Sequence, residues 1–81
     1  MRGSPSRLER PHYPMPGVVE AALTDRGLMA AYRARPDYQQ NDYLGWIAQA
    51  KRPETREKRI AQMFDELVEG DRYMNMAWRP R

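Results

Sequence analysis

An apolar stripe between two helix boundaries is the pattern that most restricts how this chain can fold. Five residues of the stripe follow the spacing i, i+3, i+4, i+7, i+8: Ile60, Met63, Phe64, Leu67 and Val68. This spacing places them on one face of an α-helix. Pro53 suits the first turn of such a helix, and Gly70 suits a left-handed residue just beyond its end. The pattern predicts an amphipathic helix over residues 53–69.

A second amphipathic helix is predicted directly before it. Its apolar residues lie on one face or flank that face: Tyr43, Leu44, Trp46, Ile47 and Ala50. The residue before a proline is pushed out of the α region, so this helix must end near Lys51. The two segments therefore predict a helical hairpin of about 37–51 and 53–69.

Packing across so short a turn also predicts which residues of the hairpin meet. The expected pairs are Ala50 with Arg56, Ile47 with Ile60, and Tyr43 with Met63 or Phe64. Arg56 is unusual because its position falls on the apolar stripe. Three roles are open for it: bracing the helix joint with its stem on apolar surface, stacking on Trp46, or pairing with Asp42.

Two shorter helices are predicted before the hairpin. The first spans about Val18–Leu23, and the second follows it and ends before Pro36. Thr24 or Asp25 is expected to cap the second helix through a side-chain oxygen.

Residues 17–81 are predicted to form one all-α domain, a small bundle of about four helices. Residues 1–16 are polar, proline-rich and free of helical periodicity, which predicts a disordered or extended arm.

In the C-terminal segment after Gly70 the apolar side chains recur every two residues rather than with the spacing of a helix. In Tyr73–Trp78 the side chains of Met74, Met76 and Trp78 alternate onto one side, which is typical of an extended strand. We expect an extended tail that lies across the helices and covers apolar surface. The alternative is a partner-binding strand or exposed patch, with Tyr73, Met76 and Trp78 as the candidate contacts.

Positive charge is concentrated at the joint between the two long helices. The chain has 14 basic and 11 acidic residues, a net charge of +3, and the basic residues of the joint are Lys51, Arg52, Arg56, Lys58 and Arg59. Arginines beside a helix N-terminus can hold an anion, although a solvated basic turn explains the same residues. The candidate residues for binding a partner or an anion are Trp46, Lys51, Arg52, Arg56 and Arg59.

Residue types that carry catalysis or bind metals are poorly placed. The chain has no cysteine, and its one histidine, His12, lies in the arm. Asp65, Glu66 and Glu69 are expected on the solvated face of the last helix. We therefore predict no enzymatic activity, no catalytic residue, no cofactor and no metal site. The prolines of the arm interrupt any signal-peptide core, and no apolar run reaches the length of a membrane span, so a cytoplasmic location is expected.

A resemblance to a known family is carried by the helix joint. The runs DYLGWI (42–47), AKRPETR (50–56) and KRI (58–60) resemble the bacteriocin-protection, YdeI/OmpD-associated family. The resemblance covers about residues 21–70 and implies a bacterial protein with a helical domain. It also implies a role in tolerance to antimicrobial peptides and envelope stress, with association to an outer-membrane porin. Larger members have an additional N-terminal domain, which we do not expect here, and the family provides no catalytic residues.

Two functions from different classes remain. The first is a small non-enzymatic interaction domain whose partner is another protein. The alternative is a nucleic-acid-binding protein that uses the basic cluster at residues 51–59, because two helices and a tight turn are typical of a helix-turn-helix. The modest net charge favours the first.

Overall fold

The computed structural model describes residues 12–79, and this part of the chain is mostly helical. Its elements in chain order are α1 (Gly17–Asp25), α2 (Met29–Arg33), α3 (Asp37–Ala48), α4 (Pro53–Glu69), β1 (Arg72–Tyr73) and β2 (Met76–Ala77). The prediction of four helices is confirmed. Among the helices described, none combines the length and apolar character that crossing a membrane requires.

The boundary between α1 and α2 differs from the prediction. Thr24 and Asp25 belong to the end of α1, and α2 begins after Leu28 with no side-chain cap. The reason is Gly27, whose φ of +68° is a left-handed conformation that glycine adopts without steric cost. It closes α1 through hydrogen bonds from the Gly27 amide to the Thr24 carbonyl (3.1 Å) and from the Leu28 amide to the Leu23 carbonyl (2.8 Å).

The ends of the two long helices follow local sequence signals, with one exception. Pro53 opens α4, and Gly70 follows its last residue with φ +83°, as predicted. However, α3 ends at Ala48 rather than near Lys51. Its last turn tightens, because the Ala50 amide bonds to the Ile47 carbonyl at 3.2 Å, in an i to i−3 pattern.

All four helices contribute to one hydrophobic core. Its buried residues are Val19, Leu23, Tyr32, Tyr43, Leu44, Ile47, Met63, Phe64 and Leu67. α3 packs against α4, and the two helices are antiparallel. Tyr43, which is earlier in α3, contacts Glu66, which is later in α4, whereas Trp46 contacts Arg59. The residue pairs expected across this interface remain predictions. Val68 is 71% exposed, so the apolar stripe of α4 is narrower than predicted.

The C-terminal segment is a β-hairpin, so the all-α class is not confirmed, and the predicted extended tail is two short paired strands rather than one. β1 and β2 pair antiparallel, with Tyr73 opposite Met76. The two residues between them, Met74 and Asn75, have φ values of +51° and +64°, the conformation of a two-residue hairpin turn. The turn reverses the chain, so Met74, Met76 and Trp78 do not form one continuous face.

Residues 12–16 form neither helix nor strand and pack against the helices. Tyr13 and Met15 are half-buried against the core, and the Tyr13 amide donates to Asn41 Oδ1 at 2.9 Å. The Tyr13 ring lies against Gly45, where an added Cβ would sit 2.6 Å from Tyr13 Cε2. Glycine at this position therefore permits the ring to lie directly on α3. Residues 1–11 of the predicted arm lie outside the described residues.

We expect the substitution Gly45→Ala to displace Tyr13 without unfolding the protein. The methyl group would push the ring away and break the Tyr13–Asn41 hydrogen bond, while alanine favours the helix over glycine by about 0.5–1 kcal/mol. Hydrogen exchange of the Tyr13 amide should accelerate about fivefold, as expected when one hydrogen bond is lost. Gly17→Ala is the control, because a Cβ added at Gly17 would meet no atom within 4 Å. Equal exchange in both variants would contradict the role of Gly45.

Candidate binding groove

A groove of about 440 Å³ lies where the N-terminal segment, α3 and the β-hairpin meet. We call it the Trp46–Met76 groove, and its lining residues are Tyr13, Asn41, Asp42, Gly45, Trp46, Gln49, Tyr73, Met74 and Met76. Aromatic and methionine side chains dominate this lining. Such side chains are common in surfaces that bind other molecules, because they offer large contact area with few constraints on partner shape.

The groove brings together residues that the sequence assigned to two separate candidate sites. Trp46 came from the helix joint, whereas Tyr73 and Met76 came from the C-terminal segment, and all three line the groove. Met76 is 57% exposed. Trp78 is not part of it, since its ring lies 4.5 Å from the guanidinium carbon of Arg35. The β-hairpin explains why Tyr73 and Met76 share the groove without Trp78, because its turn places Tyr73 and Met76 opposite each other.

Tyr73 is fixed in the groove wall by its hydroxyl and by its ring. The hydroxyl donates to Asp42 Oδ2 at 2.6 Å. The ring makes edge-to-face contacts with Tyr43 and Tyr38, with centroids 5.5 and 6.0 Å apart, a favourable geometry for aromatic pairs. The hairpin side of the groove is therefore anchored to α3.

Glu66 holds the hairpin turn from α4, so the prediction that it lies on a solvated face is wrong. Its side chain is only 2% exposed. The carboxylate accepts hydrogen bonds from the Met74 and Asn75 amides, each at 2.8 Å, and from Gln62 Nε2 at 3.1 Å. The Tyr43 hydroxyl donates a further short hydrogen bond to it. These donors replace the water that burial removes.

The titration of Glu66 reflects this environment. Burial alone raises the pKa of its carboxyl group, but the hydrogen bonds from Tyr43, the two turn amides and Gln62 outweigh burial and hold the pKa below its ordinary value. Burial and the hydrogen bond to Glu66 raise the pKa of Tyr43. Glu66 is thus a carboxylate and Tyr43 a neutral donor at neutral pH.

The basic cluster at the joint is divided in the structure. Arg59 donates to the Trp46 carbonyl at 2.6 Å, and its guanidinium lies 5.2 Å from the centre of the Trp46 ring. The stacking on Trp46 that is one expected role of Arg56 is therefore made by Arg59, one turn further along α4. Lys51, Arg52 and Arg56 are exposed, and Arg52 lies 3.9 Å from the Glu54 carboxylate.

Arg35 is a buried cation that the sequence did not single out. It is 5% exposed and donates to Gln39 Oε1 at 3.1 Å and to the Glu66 carbonyl at 2.8 Å. Its guanidinium also lies under the Trp78 ring. Arg35 therefore joins the start of α3, the end of α4 and the C-terminal residues.

A larger groove of about 700 Å³ shares Tyr13 and Asn41 with the Trp46–Met76 groove. Its charged lining residues are Glu20, Arg33 and Asp37, and His12 also contributes. These groups carry both signs of charge, so they favour no single class of charged ligand. Among residues 12–79 no group of three or more His, Cys, Asp or Glu side chains is placed to hold a metal ion.

The structure thus defines a small, mostly helical domain with an apolar and aromatic groove closed by a β-hairpin. The chain belongs to the family described as bacteriocin-protection, YdeI or OmpD-associated, whose model matches residues 12–70. The match contains the four helices and the side of the groove formed by the N-terminal segment and α3, and it ends where the β-hairpin begins. Comparisons with curated proteins and with solved structures gave no match.

Proposed function

We propose that the protein is a non-enzymatic interaction module that binds another protein through the Trp46–Met76 groove. The observation that carries the proposal is the convergence of Trp46, Tyr73 and Met76 on one groove, although they lie on separate elements. Met76 remains 57% exposed, and an exposed methionine beside two aromatic rings is a typical anchor surface for a partner.

The rigidity of the groove walls supports binding. Glu66 fixes the turn that carries Met74, while Asp42 fixes Tyr73. A preformed site loses less conformational entropy when a partner binds than a flexible surface does.

The environment of Glu66 supports a binding role over a catalytic one. A general acid or base must exchange protons with a substrate within hydrogen-bond reach. The Glu66 carboxylate is buried, and four donors already occupy it.

The biological role we propose follows the family description. The family description names bacteriocin protection and association with OmpD, so we propose a bacterial role in tolerance to antimicrobial peptides or envelope stress. An outer-membrane porin is the first partner to test. The cytoplasmic location stays a prediction, and a crosslink to a mature outer-membrane porin would contradict it.

Site-specific photo-crosslinking tests this proposal. A photoreactive amino acid replaces either Met76 on β2 or Val68 on α4, two exposed apolar residues, in protein expressed in a bacterial host under envelope stress. We expect a crosslinked partner from position 76 and a loss of at least about tenfold in yield when Trp46→Ala is added, because a central aromatic anchor is worth about 2 kcal/mol or more. Equal crosslinking from positions 76 and 68, unaffected by Trp46→Ala, would reject the groove as the contact surface.

The alternative function, nucleic-acid binding, has the exposed residues Lys51, Arg52 and Arg56 in its favour. Binding to random-sequence duplex DNA, titrated from about 50 to 200 mM salt, distinguishes it, because phosphate contacts make affinity fall steeply with salt. The double substitution Arg52→Glu/Arg56→Glu should abolish such binding. Absence of binding at the lowest salt concentration would remove the alternative.

A further inference from the structure

The N-terminal segment, residues 12–16, borders both grooves without belonging to a helix or a strand. Residues 12–15 line the larger groove, and Tyr13 also lines the Trp46–Met76 groove. Pro14 and Pro16 have no amide hydrogen, so this backbone cannot pair regularly with a neighbouring strand. Half-buried segments outside regular structure have low local stability. The N-terminal segment is therefore suited to opening while the helices stay folded.

The end of the segment nearest to α1 is fixed. The Pro16 carbonyl accepts hydrogen bonds from the Val19 and Glu20 amides, each at 3.0 Å. An opening of the segment would therefore pivot at Pro16, and it would remove Tyr13 from the wall of the Trp46–Met76 groove.

The ring of Tyr13 occupies a notch on α3. Gly45 is buried, and a Cβ added there would lie 2.6 Å from Tyr13 Cε2, so the ring lies directly on the helix backbone. We call this place the Gly45 notch. The Tyr13 amide donates to Asn41 Oδ1 at 2.9 Å, which sets the position of the segment along α3. The notch thus accepts an aromatic ring, and its occupant is a residue of the same chain.

The sequence around Tyr13 indicates what kind of segment the notch accepts. Tyr13 and Met15 each precede a proline, which favours an extended backbone at both positions. Pro16 has φ −63° and ψ 148°, the values of a polyproline II helix. Proline-rich segments of this conformation dock on aromatic-lined grooves in several recognition domains, because little conformational entropy is lost on binding. Trp46 and Tyr73 provide such a lining beside the notch.

We propose that the N-terminal segment is an autoinhibitory occupant of the Gly45 notch, and that the partner displaces it with an extended segment in which tyrosine precedes proline. The inference rests on the proposed function and adds the chemistry of the partner and the regulation of the groove. The partner's tyrosine replaces Tyr13 like for like, ring in the notch and amide on Asn41. Because the notch is available only while the segment is open, the apparent affinity is reduced in proportion to the open fraction.

The test uses the segment itself as a free peptide. Acetyl-His-Tyr-Pro-Met-Pro-amide has the sequence of residues 12–16, and a second peptide has alanine in place of tyrosine. Each is titrated to about 5 mM, the range of effective concentration that a short tether gives, into the full chain labelled with ¹⁵N. The indole N–H signal of Trp46 reports binding by NMR. Trp78 does not line the groove, so its signal is an internal control, and a Trp78→Phe variant assigns the two signals.

We expect the tyrosine peptide to bind the Tyr13→Ala protein at least about tenfold more tightly than the wild type, which corresponds to a notch that is occupied at least about 90% of the time. Pro14→Gly retains the ring but gives the open segment more conformational freedom, so its affinity should be intermediate. Val18→Ala is the control. Val18 is 70% exposed and lines neither groove, so this variant should bind like the wild type.

Two further measurements assign the binding to the notch. The double variant Tyr13→Ala/Gly45→Ala should not bind the peptide, because the added methyl group occupies the place of the ring. The alanine peptide should bind none of the proteins. Circular dichroism should show the helix content of the wild type in every variant, since position 13 lies outside the helices.

Three results would overturn the inference. Equal affinity of the folded wild-type and Tyr13→Ala proteins would show that the segment does not compete. Binding by the double variant, or by the alanine peptide, would show that the peptide does not use the notch. No shift of Trp46 in any variant would show that the notch is not a ligand site. In each case the crosslinking experiment at position 76 decides the proposed function separately, because it does not depend on the sequence of the partner.

Discussion

The substitution Glu66→Gln is expected to lower the free energy of unfolding by about 3 kcal/mol. For a domain of this size such a loss is a large fraction of the total stability, which is about 5–15 kcal/mol for typical domains. Urea unfolding followed by circular dichroism measures it.

The expected loss follows from the distribution of donors around the carboxylate. Oε1 accepts from Tyr43 and the Met74 amide, and Oε2 accepts from Gln62 and the Asn75 amide. Glutamine replaces one of these oxygens by an NH₂ group, which itself donates. One pair of donors would then face another donor and lose its acceptor, at about 1–3 kcal/mol for each group that is left unsatisfied away from water.

The β-hairpin should respond more strongly than the helices. Met74 and Asn75 both have positive φ values, which are unfavourable for residues other than glycine and asparagine. Because the Glu66 carboxylate holds both turn amides, its loss should release the turn. Hydrogen exchange of these two amides should therefore accelerate more than that of α1 amides.

Asp65→Asn is the matched control for this experiment, because Asp65 is the exposed neighbour of Glu66 on α4. It should change the unfolding free energy by less than about 0.5 kcal/mol. Similar losses in the two variants would show that Glu66 does not have the special role assigned to it.

Acid should weaken the wild-type protein through the same group. The pKa of Glu66 in the folded state lies below its ordinary value of 4.5, so the folded state binds this proton less readily than the unfolded state. The resulting stabilisation is present above pH 4.5 and is lost as the pH falls through the folded-state pKa. The unfolding free energy measured from pH 6 to pH 2.5 should fall less steeply in Glu66→Gln than in the wild type. Parallel curves would contradict this assignment.

Local signals explain why the ends of α4 were predictable. Pro53 and Gly70 act through their own backbone preferences, which are independent of the rest of the chain. The β-hairpin is different, because Met-Asn is not a strong turn sequence and methionine disfavours positive φ. Its turn is stabilised by Glu66, which lies eight and nine residues earlier and on another element. A search for local turn residues therefore does not find it.

The burial of Glu66 could not be predicted from the sequence, for a related reason. Its position follows Met63 by three residues, at the edge of the apolar stripe, where a carboxylate normally faces solvent. Donors from α3, from Gln62 on α4 and from the hairpin turn together make its burial favourable. Arg59 is a second example. The helical spacing predicted that an arginine could stack on Trp46, but it pointed to Arg56, which lies three residues before the arginine that makes the contact. The tertiary contacts of individual polar residues therefore required the structure.

The substitution Arg35→Ala is expected to lower the free energy of unfolding by about 3 kcal/mol and to expose Trp78. The guanidinium bridges Gln39 on α3 to the Glu66 carbonyl on α4 and supports the Trp78 ring. Alanine would leave the Gln39 side-chain oxygen without this donor, and it would leave a cavity beneath Trp78.

Two further variants distinguish the contributions of shape and hydrogen bonding. Arg35→Met lacks the donor but should cost about half as much as alanine, because its side chain fills most of the volume that alanine would leave as a cavity. Arg35→Lys retains the charge but not the planar fork that reaches Gln39 and Glu66 together, so it should also be less stable than the wild type.

In a Trp46→Phe background, the emission of Trp78 should shift to longer wavelength in Arg35→Ala. Arg33→Ala, an exposed arginine two residues earlier, should change neither stability nor emission. An Arg35→Ala protein with wild-type stability and an unshifted spectrum would show that Trp78 is held by other contacts.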